Sequence, residues 1–86
     1  MNVCRSERFK KAYQKLSHEL QKQTKEKLRL FAEDIKHPSL RIKKVQGTDS
    51  LWEGSITMGC RFTFEKIENG YWLRNIGDHD KTLKNP

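Results

Sequence analysis

The sequence predicts an α+β protein: an N-terminal edge strand and a helical hairpin packed on a small twisted antiparallel sheet, in the order β-α-α-β-β-β-β. Three observations carry that expectation. Apolar residues recur at helical spacing through the first 36 positions. After residue 40, greasy and polar residues alternate in short runs, the period of half-buried strands. Turn-forming clusters separate those runs, including Glu68-Asn69-Gly70, whose Asn-Gly pair is a strong hairpin signal.

Taken in order, residues 1–5 form a short edge strand. Ser6 then suits a helix N-cap, with Glu7 well placed in the first turn. Phe9, Ala12, Tyr13, Leu16 and Leu20 line one helical face. Ser17 can cap a second helix, which buries Leu28, Phe31, Ala32 and Ile35; one long helix bent near residue 17 fits the same pattern. The stretch from Gln21 to Lys27 is wholly polar. His37-Pro38-Ser39 ends the helices, because Pro38 restricts His37 and donates no backbone hydrogen bond. Strands follow at 40–45, 51–56, 60–64 and 71–76, joined by Gly47-Thr48-Asp49-Ser50, Met58-Gly59 and the Asn-Gly turn as an antiparallel meander. Leu40, Ile42, Trp52, Ile56, Phe62 and Phe64 are expected to face the helices. The pattern leaves open which of Trp72 and Leu73 faces inward, and the tail after Asp80 is expected to be loose.

With 86 residues the chain is expected to be one domain, spanning 1–86. Such a chain buries only roughly 60–65 % of its unfolded surface, which leaves a thin core and no large pocket. The formal charge is +7 and is skewed: residues 1–36 hold ten Lys/Arg against five Asp/Glu, and residues 37–86 hold eight against six. A basic surface favours an anionic partner, nucleic acid or an acidic protein. Cys4 and Cys60 lack metal-ligand spacing and suit small buried hydrophobes. With no secretory signal or membrane-spanning run, the expected location is the reducing cytoplasm. Neither a metal nor a cofactor is expected; His18 and His37 have no partner motif.

Arg41, Lys43 and Arg61 occupy the polar slots of the strand runs, and His79 follows the last run in Gly77-Asp78-His79-Asp80. Cations and an imidazole on one sheet make a plausible site for RNA cleavage. The ordered segments HPSLRIKKVQG, LWEGSI, CRFTFE and LRNIGDHDKTLKNP resemble the RelE/ParE superfamily of toxins from type II toxin–antitoxin pairs, across the whole chain. No single motif decides this; the order and spacing together do.

That resemblance implies a ribosome-dependent endoribonuclease that cuts mRNA in the 30S A site without metal. The RNA 2′-hydroxyl attacks its adjacent phosphate, giving a 2′,3′-cyclic phosphate and a 5′-hydroxyl. It further implies catalytic roles for Arg61, His79 and Lys43. Arg61 would grip phosphate and stabilise its developing charge. His79 would protonate the leaving 5′-oxygen. Lys43 would bind phosphate, or act as base if neighbouring cations made it neutral. Glu53 is a further candidate for the base. Arg41, Lys44, Arg74 and Lys81 are candidate RNA contacts, and the helical lysines suit ribosomal RNA or a solvated face equally. The implied partners are a cognate acidic antitoxin, in a hetero-oligomeric complex, and the ribosome with its mRNA; no membrane is involved. Two departures stand out: Ser55 replaces a cation, and Leu83 an aromatic, found in many relatives. The alternatives are a ParE-like inhibitor of DNA gyrase without nuclease activity, and a non-catalytic basic module binding RNA or an acidic protein.

Overall fold

A computed structural model of the chain describes residues 2–86. Strand β1 (Asn2–Arg5) leads into helices α1 (Glu7–Gln14) and α2 (His18–Glu33). A 3₁₀ turn (Pro38–Leu40), β2 (Lys43–Lys44), β3 (Leu51–Ser55), β4 (Cys60–Ile67), β5 (Gly70–Asp78) and helix α3 (His79–Lys84) complete the chain.

The five strands form one sheet in the order β1-β5-β4-β3-β2. The expected meander holds for β2 through β5, whose pairs are all antiparallel. The sheet as a whole is mixed rather than antiparallel, because β1 pairs parallel to β5 from Asn2↔Gly70 to Arg5↔Leu73. A parallel pair needs a long return connection, and here that connection is everything from α1 to the Asn-Gly turn. Asn69 adopts φ 65°, the left-handed geometry an Asn-Gly hairpin uses.

Two serines divide the helices. Ser6 accepts from the Phe9 N–H at 3.0 Å, and Ser17 accepts from the Leu20 N–H at 3.2 Å. The bent-single-helix alternative is therefore excluded, and Leu20 belongs to α2. Phe9 of α1 and Phe31 of α2 are fully buried against Ile56, Phe62, Phe64, Leu73 and Ile76 of the sheet side. Phe31 meets Phe62, Phe64 and Tyr71 edge-on, with ring centroids 4.9–5.5 Å apart. Gly54 makes room for this layer: a Cβ there would lie 2.5 Å from the Phe62 ring. Ala32 is exposed rather than buried, and Thr24, inside the polar stretch, is fully buried, its hydroxyl donating to Leu20 O at 2.6 Å. Ile42 and Trp52 are half-buried.

Two further expectations are corrected, and the facing left open in β5 is resolved. The run 40–45 is not a six-residue strand. His37 caps a 3₁₀ turn by accepting from the Ser39 N–H at 3.2 Å, and Arg41 follows in the left-handed region at φ 48°. Leu40 reaches the core through that turn, and only Lys43–Lys44 pair with β3. In β5 the pairing shifts between Thr63↔Asn75 and Phe64↔Leu73, so Arg74 is an inserted residue. The bulge resets the alternation and lets both Leu73 and Ile76 face the core. Finally, the tail is a helix. Asp78 caps α3 by accepting from the Asp80 N–H at 3.0 Å, and Thr82 is buried beneath it. No described helix is long and apolar enough to cross a membrane.

Candidate active site

The sheet face turned away from α1 and α2 carries the charged residues. Alternation along β3 sends Trp52 toward the helices and Glu53 to the opposite face. Register then decides the neighbours: Lys43 lies opposite Glu53, Glu53 opposite Thr63, and Ser55 opposite Arg61. Arg61 is thus the diagonal neighbour of Glu53, within reach of a long side chain.

Glu53 is the centre of this group. Only 5 % of its side chain is exposed, and Oε1 lies 3.9 Å from both Lys43 Nζ and Arg61 Nε. Arg61 is nearly as enclosed, with 13 % of its side chain exposed, but it lies outside the aromatic layer. Its NH1 donates to Thr57 O at 2.6 Å, which ties the guanidinium to the β3–β4 hairpin. Lys43 remains well exposed.

His79 reaches the same region through α3. Its backbone N–H donates to Gly59 O at 2.9 Å, which fastens the start of α3 to the β3–β4 hairpin. Its Nδ1 lies 3.2 Å from Asp80 Oδ1. The far end of α3 is held at Thr63, whose hydroxyl donates to Pro86 O at 3.0 Å, and by Arg8, which bonds Asn85 O. The helix therefore lies over Thr63. Lys43, Lys44, Gln46, Glu53, His79 and Leu83 line one cavity of about 690 Å³.

The structure thus brings Lys43, Glu53 and His79 together, with Arg61 behind Glu53. Arg61 itself opens into an adjoining depression beside Ser55, Thr57 and Arg41. The other expected contacts separate. Arg41, turned by its left-handed backbone, is on no strand and does not line the cavity that holds Lys43. Arg74 is tied down, its Nε donating to Pro86 O at 3.2 Å and its NH1 lying 3.7 Å from Glu65. Lys81 is exposed on α3 and does not line the cavity. Lys44 lines the cavity edge while its ammonium lies 5.5 Å from the Trp52 ring centre. Gln46 and Leu83 were not anticipated as lining residues. The signal for α3, and so for Leu83, was present: Asp78 as a cap, Asp80 in the first turn and Lys81 and Lys84 in the last.

The set combines a carboxylate and an imidazole, both able to move protons, with two cations beside the carboxylate. Burial pushes the neighbouring Cys60 thiol above its ordinary value; the Arg61 charge opposes this and Asp78 adds to it. Among the described residues, no three His, Cys, Asp or Glu side chains cluster to hold a metal ion.

No family model matches the sequence, and no curated protein matches it either. Solved structures do. A chain of the RelB–RelE antitoxin–toxin complex from Methanococcus jannaschii superposes with a TM-score of 0.77 at 14 % identity, over 98 % of this chain and 99 % of that one. The E. coli DinJ–YafQ complex gives 0.72 at 10 % identity over 93 % and 94 %. The isolated E. coli RelE toxin gives 0.67 at 20 % identity over 88 % and 81 %. Element for element, from the edge strand through the helix pair to the mixed five-stranded sheet, the chain has the RelE-like toxin fold.

Proposed function

We propose that this chain is the toxin of a type II toxin–antitoxin pair and that it cuts ribosome-bound mRNA with the outer-face cluster. The observation that carries this reading is the shared cavity of Glu53 and His79, with Lys43 and Arg61 both 3.9 Å from the carboxylate. Metal-independent cleavage needs a base for the 2′-hydroxyl, an acid for the leaving 5′-oxygen and cations for the phosphorane. Glu53 takes the 2′-proton as the new P–O bond forms. His79 gives a proton to the 5′-oxygen as its bond to phosphorus breaks. The products are a 2′,3′-cyclic phosphate and a 5′-hydroxyl. Arg61 and Lys43 stabilise the charge that gathers on phosphorus-bound oxygens. A lysine base requires burial or flanking cations; Lys43 is exposed and sits beside a carboxylate, so phosphate contact suits it better.

The same reading supplies the partners: an antitoxin that covers the basic surface, as the RelB–RelE and DinJ–YafQ complexes each pair a toxin with an antitoxin, and the ribosomal A site. Primer extension on mRNA in a translating extract tests it. Wild type should produce discrete cuts that Arg61→Ala and His79→Ala abolish. Equal cutting by all three would remove the catalytic assignment. No cutting by wild type, together with inhibition of gyrase supercoiling, would favour the ParE-like alternative.

A further inference from the structure

On the helix side of the sheet, behind the cluster just described, lies a second cleft of about 550 Å³. Its walls include Trp52 and Tyr71, half-buried, with Lys36, His37, Arg41 and Lys66 around them. It contains no acidic lining residue. Unlike Lys43 and Arg61, none of Lys36, Arg41, Lys44 or Lys66 forms an ion pair with an acidic residue among the described residues. Trp52 is half-buried against the core, and two flexible ammonium groups approach its ring, Lys66 at 4.5 Å and Lys44 at 5.5 Å from the centre. A stacked nucleobase is worth more than an exposed ammonium on the same ring, so a base would displace the lysines toward its own phosphates.

Arg41 links this cleft to the reaction site. It lines both the cleft and the depression holding Ser55, Thr57 and Arg61, and Arg61 in turn reaches Glu53. The left-handed backbone at Arg41 puts this cation at the junction. We infer that the Trp52–Tyr71 cleft is a second RNA subsite: it stacks a base of the single strand that flanks the scissile bond, and Arg41, Lys36 and Lys66 hold that strand's phosphates around the β2 edge. The inference rests on the nuclease reading for its substrate, but its binding step can be measured alone.

The probe is a short 2′-O-methyl oligoribonucleotide, which 2′-hydroxyl chemistry cannot cut, titrated into full-length Trp72→Phe protein so that Trp52 is the sole indole. RNA should quench Trp52 emission. Lys36→Glu/Lys66→Glu, both at exposed positions, should weaken binding about tenfold or more and make the salt dependence shallower by about 0.7 for each phosphate no longer held. His79→Ala should keep the quenching. Absence of quenching, unchanged affinity in the charge-reversed variant, or quenching by polyglutamate but not by RNA would each overturn the inference, the last marking a protein interface instead. Quenching by a wild type that cuts no mRNA would refute the nuclease and support the cleft. Full cutting with unchanged RNA affinity in the charge-reversed variant would refute the cleft and leave the nuclease.

Discussion

Glu53 is a carboxylate taken almost out of water, and its two partners are unequal. Breaking an enclosed ion pair strands a charge and costs about 3–5 kcal/mol, whereas an exposed pair is worth about 0–1 kcal/mol. Arg61→Ala should therefore lower the urea-unfolding free energy by about 3 kcal/mol, and Lys43→Ala by less than about 1 kcal/mol. Similar losses for the two would mean that Arg61 is not the enclosed partner. Loss of activity in Arg61→Ala must accordingly be read at a temperature where the variant is folded. Cys60 makes a second test. Its thiol is raised above 9.0, chiefly by burial, so the folded state holds its proton where the unfolded chain has released it. Stability from this group is complete below pH 9 and is lost as pH climbs past that value toward the folded thiol's own. Chemical denaturation across that range should show a decline that Cys60→Ala flattens, and Cys60 should alkylate more slowly than the less buried Cys4.

Helices α1 and α2 were legible because each begins with a serine cap and repeats its apolar residues at helical spacing. Strands β3 to β5 were legible from alternation and the Asn-Gly turn. The run 40–45 misled for a physical reason: Leu40 and Ile42 have the spacing of a strand face, yet Pro38 seeds a 3₁₀ turn and Arg41 reverses into positive φ. Helix α3 is only six residues long with a single large apolar side chain, so periodicity says nothing about it and only its cap and end charges do. That cap matters because His79 follows it directly. Asp78→Ala should cost about 1 kcal/mol in helix stability. Cleavage should fall while the cooperative thermal transition survives, since the aromatic layer lies on the other face. Wild-type cleavage by this variant would show that α3 does not position the imidazole.

The molecule divides its labour across one sheet: an aromatic layer facing the helices and a charged face under α3. Phe62 touches Phe31 and Phe64 and is fully buried. Phe62→Ala should cost about 3–5 kcal/mol against a total of about 5 kcal/mol for a small domain, and calorimetry should find no cooperative melt. This layer could be read from the sequence, as could the polar slots of Lys43 and Arg61, though not of Arg41, which lies outside the strands. Alternation does not encode the cavity that Lys43 and Glu53 share with His79, because it depends on the docking of α3 through the Gly59 carbonyl. The mixed sheet was hidden similarly: a parallel edge depends on where a distant strand returns. The proposed activity requires Glu53 and His79 to act on one phosphodiester. The most direct measurement is the single-turnover rate of mRNA cleavage on ribosomes by wild type, Glu53→Gln, His79→Ala and the double variant. Each single change should slow the reaction by about 10²–10⁴-fold, and the double by less than the product of the two, as groups acting together do. A Glu53→Gln or His79→Ala protein that cuts at the wild-type rate would contradict it.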